Sequence, residues 1–342
     1  MMASNPIKHV IRRALPKSVR RRLRPPGPPW VLTEPAPPDV CPIEFTFYAI
    51  VGTWMEEDII ADTVANCFAQ GVDRVFLLDN DSPDGTVEAA VAAGADHVMT
   101  YRTDTFEERY RYNLMNEFVR HMSEAGTSDH VWWLWLDADE FARPEKVGTL
   151  RDMLERLDQR YRIVGARVIN HYPTPGAIAH VPGQHPVNQQ PMCEEVPDPM
   201  CDRFHRKHPL QRWDRDGPMI QSGLGFHNAI SDQRPLLEPV ECAVIHHVPY
   251  RNETFTRRRM NELWSGSERH ASRARSGDMS TDHMEARLRS LDAVYAGEWP
   301  KVHNYMPGAA EHGIQLRHWH DLTPRICPDL PTWDDRAKDA RV

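Results

Sequence analysis

The chain has 342 residues, of which 40% are hydrophobic and 26% charged, so it is long and apolar enough to bury a sizeable core. Its net charge is −8 with histidine neutral, which gives no general attraction to nucleic acid. The longest uninterrupted apolar run, Val131 to Leu136, is far shorter than the roughly 18–20 residues needed to cross a bilayer. With this composition the chain need not be disordered, and the charge and the short apolar runs argue against a nucleic-acid-binding or membrane-spanning protein.

The first 43 residues differ from the rest and are predicted to be a leader, disordered or peripheral. Every charged side chain between Lys8 and Arg24 is basic, and the stretch from Pro25 to Pro42 is rich in proline. Two interpretations stay open: peripheral contact with an anionic membrane surface, and a disordered basic leader. The basic residues interrupt any signal-peptide core, so we expect a cytoplasmic protein, either free or held at the inner face of the membrane.

Helices and strands are predicted to alternate along the first half of the folded region. The predicted elements are strand 44–51, helix 56–70, strand 74–79, helix 84–93, strand 97–101, helix 106–122 and strand 131–136. Helix 150–157 and strand 162–170 follow, then an irregular stretch 171–239, strand 241–248, helices 252–263 and 282–295, and a charged tail. This alternation predicts an α/β fold, with a mostly parallel sheet and helices on both faces.

Polar clusters directly follow three of the predicted strands. They begin at Gly52-Thr53, at Asp79-Asn80-Asp81 and at Asp137-Ala138-Asp139. In open α/β sheets, ligands bind beyond the carboxyl ends of the strands. The three clusters are therefore predicted to meet in one binding crevice.

The segment Trp132 to Phe141 carries the strongest chemical signal in the chain. An apolar strand leads into Asp137, Asp139 and Glu140, three carboxylates within four positions. Such dense negative charge needs a neutralising cation, and hard oxygen ligands suit Mg²⁺ or Mn²⁺. A solvated acidic turn is the alternative.

The segment from Asp79 to Thr86 is a second candidate. Asp79 at a strand end can accept hydrogen bonds from a ribose or a base, and the residues after it can cap the next helix. An ordinary turn between a strand and a helix explains the same residues equally well.

Histidine and arginine residues in the second half are further candidates. His246 and His247 end a predicted strand shortly before Arg251, and His227 follows a glycine-rich segment. Because neighbouring residues of a strand face opposite sides, at most one of His246 and His247 is expected to face the crevice. Arg251 is suited to pairing with a diphosphate. Zinc, P-loop, dinucleotide-binding and serine-hydrolase motifs are absent from the sequence.

The motifs Asp79-to-Thr86 (DNDSPDGT) and Trp132-to-Phe141 (WWLWLDADEF) resemble those of family 2 glycosyltransferases, the inverting enzymes with the GT-A fold. The similarity is greatest to the bacterial branch with a DNxSxDGT turn and a WLDADEF-type strand end. It extends over about 45–262. It implies a Rossmann-like nucleotide-sugar-binding half at 44–142, an irregular acceptor-binding and catalytic half at 143–300, and a C-terminal extension at 301–342.

The resemblance implies a metal-dependent enzyme that moves a sugar from a nucleoside-diphosphate donor, UDP- or GDP-linked, to a glycan or other hydroxyl acceptor. Polysaccharide or cell-envelope synthesis is the expected setting. The implied donor-binding residues are Gly52, Thr53, Glu57, Asp79, Asn80, Asp81, Asp137 and Ala138. The implied Mn²⁺ or Mg²⁺ ligands are Asp137, Asp139 and His247, or His246 in its place.

The acceptor side is less well defined by the sequence. The acceptor-side segment offers four carboxylates for the catalytic base, Glu194, Glu195, Asp198 and Asp202, of which Glu195 and Asp202 are the named candidates. Arg251 is the candidate for stabilising the departing diphosphate, and His227 for the acceptor or phosphate region. A nucleotidyltransferase acting on sugar phosphates is one alternative, although no basic glycine-rich loop follows the first strand. A non-catalytic carbohydrate-binding relative of the same fold is the other.

Overall fold

The computed structural model describes residues 31–35, 37–102, 108–146, 148–173, 184–194, 205–231, 236–240, 243–264, 290–299 and 316–318. The strands are β1 (Val31–Glu34), β2 (Thr46–Thr53), β3 (Arg74–Asp79), β4 (Asp96–Thr100), β5 (His130–Asp137), β6 (Glu140–Pro144), β7 (Ile163–Tyr172), β8 (Met192–Glu194), β9 (Arg206–Asp214), β10 (Ile220–Ser222), β11 (Ala229–Ser231), β12 (Leu236–Pro239), β13 (Ala243–His247) and β14 (Leu316–His318). The helices are Ile60–Ala69, Thr86–Ala92, Glu108–Ala125, Leu150–Glu155, Pro186–Gln189 and Glu253–Trp264, with a further helix at 290–296.

Strands β4, β3, β2 and β5 lie side by side in this order, and all are parallel. Each is connected to the next in sequence by a helix, which is the usual connection between parallel strands. The predicted α/β fold with a mostly parallel sheet is confirmed. The four strands and their helices also lie close to the bounds that the sequence predicts.

The side chains of β5 show why helices cover both faces of the sheet. Trp132 and Leu134 pack with the helices Ile60–Ala69 and Thr86–Ala92 in one apolar cluster. Trp133 and Trp135 point to the other face and pack with the helix Glu108–Ala125. Successive residues of a strand alternate between faces, so a continuous apolar strand needs a layer of helix on each side.

The second half of the sheet is mixed. Strand β9 is antiparallel between β5 and β7, and β13 runs parallel to β7. Strands β8 to β12 lie in the stretch 171–239, for which the sequence gives no regular pattern. In β9 the reason is that Lys207 and Arg212 are buried in ion pairs, so the strand lacks apolar alternation.

The end of the predicted leader belongs to the folded domain. Strand β1 pairs in parallel with β12, and the Thr33 hydroxyl donates to Glu238 Oε1 over 2.9 Å. The leader prediction is therefore wrong for Val31–Glu34, because the partner of this strand lies some two hundred residues away in sequence. The basic segment and the charged tail lie outside the described residues. In the part of the chain described, no helix has the length and hydrophobicity to cross a membrane.

Candidate active site

The carboxyl ends of β2, β3 and β5 meet, as the sequence predicts. Gly52 lies opposite Asp137 of β5, and Thr53 lies opposite Asp79 of β3. The Thr53 hydroxyl donates to Asp79 Oδ1 over 2.9 Å. The two acidic motifs, about fifty residues apart in sequence, therefore border one end of the sheet.

Asp79 shapes the turn that follows β3. Its carboxylate accepts hydrogen bonds from the backbone N–H of Ser82 (2.8 Å) and from the Ser82 hydroxyl (2.6 Å), and it is only 1% exposed. The backbone N–H of Asn80 donates to Thr53 O (3.0 Å), and Asp81 takes a positive φ of 51°. The structure thus shows which hydrogen bonds hold the turn. That these residues contact a sugar donor stays a prediction.

The segment after β2 is joined to the turn after β3. Glu57 accepts a hydrogen bond from the N–H of Gly85 (2.9 Å), and Thr86 accepts one from the N–H of Glu56 (2.8 Å). These two hydrogen bonds hold the loop after β2 against the turn after β3. Glu57 therefore helps to hold these two loops together.

Asp137 lies between two cations. Its Oδ1 is 2.9 Å from Arg111 Nη1, and its Oδ2 is 3.1 Å from Lys207 Nζ. Burial alone raises the pKa of Asp137, but the charges of Lys207 and Arg111 outweigh it and lower the pKa to about 2. About a quarter of the side chain, 26%, remains exposed at the crevice. The structure therefore holds an ionised carboxylate at the end of β5.

Gly52 makes room for this arrangement. A Cβ at position 52 would lie 3.1 Å from Arg111 Cδ and 3.3 Å from its Nη1. Arg111 lies on the helix Glu108–Ala125, on the side that also carries the buried Met115. The absence of a side chain at Gly52 lets the guanidinium cross the strand end and reach Asp137.

Lys207 also contacts Glu140, which is fully buried at the start of β6. Burial raises the pKa of Glu140, and Lys207 opposes this shift. Lys207 itself has a raised pKa in spite of its burial, since Glu140 and Asp137 both stabilise its charge. Glu140 Oε2 in turn accepts the N–H of Asp137 (3.2 Å), so these three residues form one buried unit.

Asp139 faces different partners from Asp137. Its Oδ2 is 3.5 Å from His247 Nε2, 3.7 Å from Arg251 Nη1 and 3.9 Å from Arg259 Nη2. Burial raises its pKa, but His247 and the two arginines reverse this effect and lower the pKa well below its usual value. Asp139 thus remains a carboxylate although it is buried.

Arg251 and Arg259 are themselves held by acidic residues of the β2 loop. Arg251 binds Asp58 through two nitrogens, at 2.8 and 3.0 Å, and it contacts Glu56. Arg259, on the helix Glu253–Trp264, contacts the same Glu56. Burial raises the pKa of Glu56 to about 7, although both arginines lower it. Arg251 therefore lies beside Asp139, as its predicted role requires, within a network of ion pairs.

His246 and His247 face opposite sides, in agreement with the alternation of a strand. His246 Nδ1 is 2.9 Å from His171 Nε2 in a buried contact. His247 Nδ1 is 2.7 Å from Asn170 Oδ1, and its Nε2 faces Asp139. Of the two histidines, His247 is thus the one that lies beside Asp139.

Asp139 and His247 suit a divalent cation. Two ligands at neighbouring positions of a shared cation lie about 3 Å apart when each bond is about 2.1 Å. The 3.5 Å between Asp139 Oδ2 and His247 Nε2 is close to that spacing. In the described ranges, no group of three or more His, Cys, Asp or Glu residues is arranged to hold a metal. The predicted set of Asp137, Asp139 and His247 therefore does not come together, because Asp137 faces Arg111 and Lys207.

The acceptor-side predictions are only partly covered by the structure. Glu195 and Asp202 lie outside the described residues. His227 follows a tight turn, in which Gly225 has φ 63°, and its Nδ1 is 2.7 Å from Arg206 O. The neighbouring Phe226 ring centre lies 5.3 Å from Lys207 Nζ, so this turn borders the Asp137 unit.

Sequence reasoning missed three cations of the site: Arg111, Lys207 and Arg259. Arg111 is the one with a sequence signal, because it shares the buried face of its helix with Met115 four residues later. Lys207 lies in a strand without alternation. Arg259 lies in a helix with three consecutive arginines, and the sequence does not indicate which of the three is directed at the site.

Comparison with known proteins shows a family similarity for part of the chain. Residues 48–208 match the model of glycosyl transferase family 2. This region, just under half of the chain, is therefore similar to family 2 glycosyltransferases. The match includes both acidic motifs and Lys207, and it ends before His227, His247 and Arg251. No curated protein matches the chain.

Solved structures with low similarity to this chain include known glycosyltransferases. A mannosyltransferase from Pyrobaculum calidifontis, solved with GDP-Man and Mn²⁺, is 20% identical over 46% of this chain and 41% of its own, with a TM-score of 0.26. Glucosyl-3-phosphoglycerate synthase from Mycobacterium tuberculosis, solved with Mn²⁺, UDP and glucosyl-3-phosphoglycerate, is 14% identical over 64% of this chain and 79% of its own, with a TM-score of 0.28. The chain thus spans less than half the length of the Pyrobaculum enzyme.

Proposed function

We propose that the protein transfers a sugar from a nucleoside-diphosphate donor, UDP- or GDP-linked, to a hydroxyl acceptor with the help of Mn²⁺ or Mg²⁺. The observation that carries this proposal is the pair Asp139 and His247, 3.5 Å apart at the end of the sheet where the nucleotide pocket of a family 2 domain is expected. One carboxylate and one imidazole leave positions for the oxygens of a diphosphate, as such cations prefer.

The cation would lie at Asp139 and His247 and would neutralise charge that develops on the departing diphosphate. Arg251 and Arg259 add two fixed positive charges beside Asp139. Because both guanidiniums are buried and held by Glu56, they need no reorganisation when the diphosphate leaves. Their role is to lower the free energy of the leaving group.

Asp137 has a separate role in the proposal. Arg111 and Lys207 occupy both of its oxygens, yet its side chain keeps some exposure. It stays ionised near neutral pH, because its pKa is about 2. We assign it to hydrogen bonds with the donor ribose, next to the wall formed by Thr53 and Asp79.

The transfer itself is proposed to proceed with inversion. A carboxylate of the acceptor side, Glu195 or Asp202, takes the proton of the acceptor hydroxyl. The acceptor oxygen forms a bond to the anomeric carbon while the bond to the diphosphate oxygen breaks, and its electron pair leaves with the diphosphate. Synthesis of a glycan or cell-envelope polysaccharide is the proposed setting, and the basic N-terminal segment is the part proposed to contact a membrane surface.

A donor-consumption assay tests this function. The wild-type protein is incubated with UDP-, GDP-, TDP- and CDP-linked sugars, with Mn²⁺ or with a chelator, and released nucleoside diphosphate is measured. We expect release from one donor class that depends on the metal and is lost in Asp139→Asn. The matched control is Asp129→Asn, the same chemical change at an exposed ion pair with Arg215, which is expected to keep full activity. Equal activity of wild type and Asp139→Asn would refute the proposal.

A further inference from the structure

A row of polar side chains crosses the second half of the sheet beside the crevice. Asn170 of β7 lies opposite His247 of β13 in the parallel pairing. Strand β8 is antiparallel to β7, with His171 opposite Cys193, which places Glu194 beside Asn170. Glu194, Asn170 and His247 therefore occupy neighbouring positions on three adjacent strands.

Two hydrogen bonds of the Asn170 amide connect Glu194 to His247. Asn170 Nδ2 donates to Glu194 Oε2 over 3.1 Å, and Asn170 Oδ1 is 2.7 Å from His247 Nδ1. A carboxylate only accepts hydrogen bonds, so Glu194 fixes which end of the Asn170 amide faces it. The amide oxygen then faces His247, and His247 Nδ1 must carry the proton of that hydrogen bond. The tautomer of His247 is thus set from two strands away.

When His247 is neutral, this Nδ1 proton leaves the lone pair of the imidazole on Nε2. The Nε2 atom is the one that lies 3.5 Å from Asp139 Oδ2. A proton on Nε2 would pair with this carboxylate, and a divalent cation between the two groups would take the place of that proton. The row therefore presents a ligand atom on the side of the crevice where the divalent cation is proposed.

We propose that Asn170 and Glu194 are positioning residues that hold His247 with Nε2 directed at the cation. The inference rests on the proposed metal-dependent function and assigns the residues behind its metal ligand. Glu194 and Asn170 are buried, 4% and 2% exposed, and Asn170 is linked to this site through its hydrogen bond with His247. A buried carboxylate is costly unless it is well paired, and Glu194 is paired by Asn170 and by the hydroxyl of Tyr172 at 3.3 Å.

The test is the affinity of the full-length protein for Mn²⁺, measured from the electron paramagnetic resonance signal of the free ion, with Mn²⁺ alone and with UDP or GDP. Loss of a hydrogen-bond partner behind a metal ligand weakens metal affinity about 10–100-fold. We expect that decrease in Mn²⁺ affinity for Asn170→Leu. For Glu194→Gln we expect a decrease of about tenfold, because the new amide can donate as well as accept and so no longer fixes the orientation of the Asn170 amide. Tyr172→Phe is the matched control, because it removes another bond to Glu194 without touching Asn170.

A spectroscopic measurement separates positioning from a general structural effect. Nitrogen coupling to bound Mn²⁺, measured by pulsed electron paramagnetic resonance, reports whether an imidazole ligates the ion. We expect the coupling in wild type and Tyr172→Phe, and a weaker or absent coupling in Glu194→Gln. Glu194→Gln is nearly isosteric, so it provides the test even if Asn170→Leu fails to fold.

Three results have distinct meanings. If His247→Ala abolishes the coupling and Glu194→Gln weakens affinity and coupling, the inference stands. If His247→Ala abolishes the coupling while Glu194→Gln and Asn170→Leu bind Mn²⁺ like wild type, the inference is overturned and the proposed metal site stands. If His247→Ala binds Mn²⁺ as wild type does, or wild type binds none, the metal site fails and the inference fails with it.

Discussion

The ammonium group of Lys207 lies 3.1 Å from Asp137 Oδ2 and also contacts Glu140, so one cation on β9 serves two carboxylates of the acidic motif. Strand β9 is antiparallel to β5, and this pairing brings the lysine to the strand end. The motif that suggests a cation site in the sequence is therefore partly neutralised by the protein itself. Of the three carboxylates, Asp139 is the one that lies beside His247, where the metal is proposed.

Replacement of Lys207 by methionine is expected to destabilise the fold. The substitution leaves two buried carboxylates without their shared cation, and removal of one partner of a buried pair costs about 3–5 kcal/mol. Urea unfolding of Lys207→Met measures the free energy of unfolding. Adding Glu140→Gln should restore part of the loss, because one of the unpaired charges is then absent. Arg120→Met, at an exposed ion pair, is the control and is expected to change stability by less than about 1 kcal/mol.

Gly52→Ala is expected to displace Arg111 from Asp137. The new Cβ would lie 3.1 Å from Arg111 Cδ, and such overpacking costs about 1–3 kcal/mol. In Arg111→Ala the side chain that clashes is absent, so the same substitution should have a much smaller effect. Thermal or urea unfolding is measured for wild type, Gly52→Ala, Arg111→Ala and the double variant. The difference between the effect of the double variant and the sum of the single effects gives the coupling free energy. Gly126→Ala, where the nearest atom to the new Cβ is 3.4 Å away, serves as the control. Strictly additive effects of Gly52→Ala and Arg111→Ala would show that the contact is not formed.

The bidentate contact of Arg251 with Asp58 is expected to distinguish arginine from lysine. Lysine keeps the charge but offers no planar pair of N–H donors. Arg251→Lys should therefore lose stability and bind the donor more weakly, and Asp58→Asn should lose less in the Arg251→Lys background than in wild type. Residues in direct contact typically show coupling energies of about 0.5–3 kcal/mol in a double-mutant cycle. No measurable coupling would show that the ion pair is not formed in solution.

Stability is expected to decline as the pH falls from about 6.5 towards 4. Loss of solvent around the ring, together with Arg143, lowers the pKa of His185 to about 3, and burial with Arg206 lowers that of His208 to about 4. In the unfolded chain both titrate near 6.5, so within this window the unfolded state binds protons that the folded state does not. The free energy of unfolding must then fall with the pH.

His185→Asn tests the contribution of one histidine. His185 Nδ1 accepts the N–H of Val187 at the start of the helix Pro186–Gln189, and asparagine can make the same cap without titrating. Urea unfolding at pH 7.5, 6.0 and 5.0 should give a smaller pH dependence in this variant than in wild type. Identical pH dependences would show that His185 remains protonated to the same extent in the folded and unfolded states.

The first half of the fold could be predicted because its signals are local. Strands such as β3 and β5 are continuous apolar runs, and helices with apolar periodicity separate them. The meeting of Thr53, Asp79 and Asp137 then follows from the rule that parallel strands share a carboxyl edge.

The second half could not be predicted in the same way, since its order depends on partners that are distant in sequence. Strand β1 pairs with β12, and the buried cations of β9 are stabilised by Asp137 and Glu140 of another element. Nor does the sequence indicate which way a carboxylate points. Asp137 and Asp139 are two residues apart, yet one faces Lys207 and the other His247.

The most direct test of the central claim is thermal stabilisation by UDP, GDP, TDP and CDP, each with and without Mn²⁺, in wild type, Asp139→Asn and His247→Ala. A ligand that binds only the folded state stabilises it by about 2.7 kcal/mol at a hundredfold excess over Kd. We predict a metal-dependent rise in Tm with one nucleoside diphosphate in wild type and none in either variant. A rise of the same size in wild type and Asp139→Asn, or no rise with any of the four nucleotides, would contradict the account.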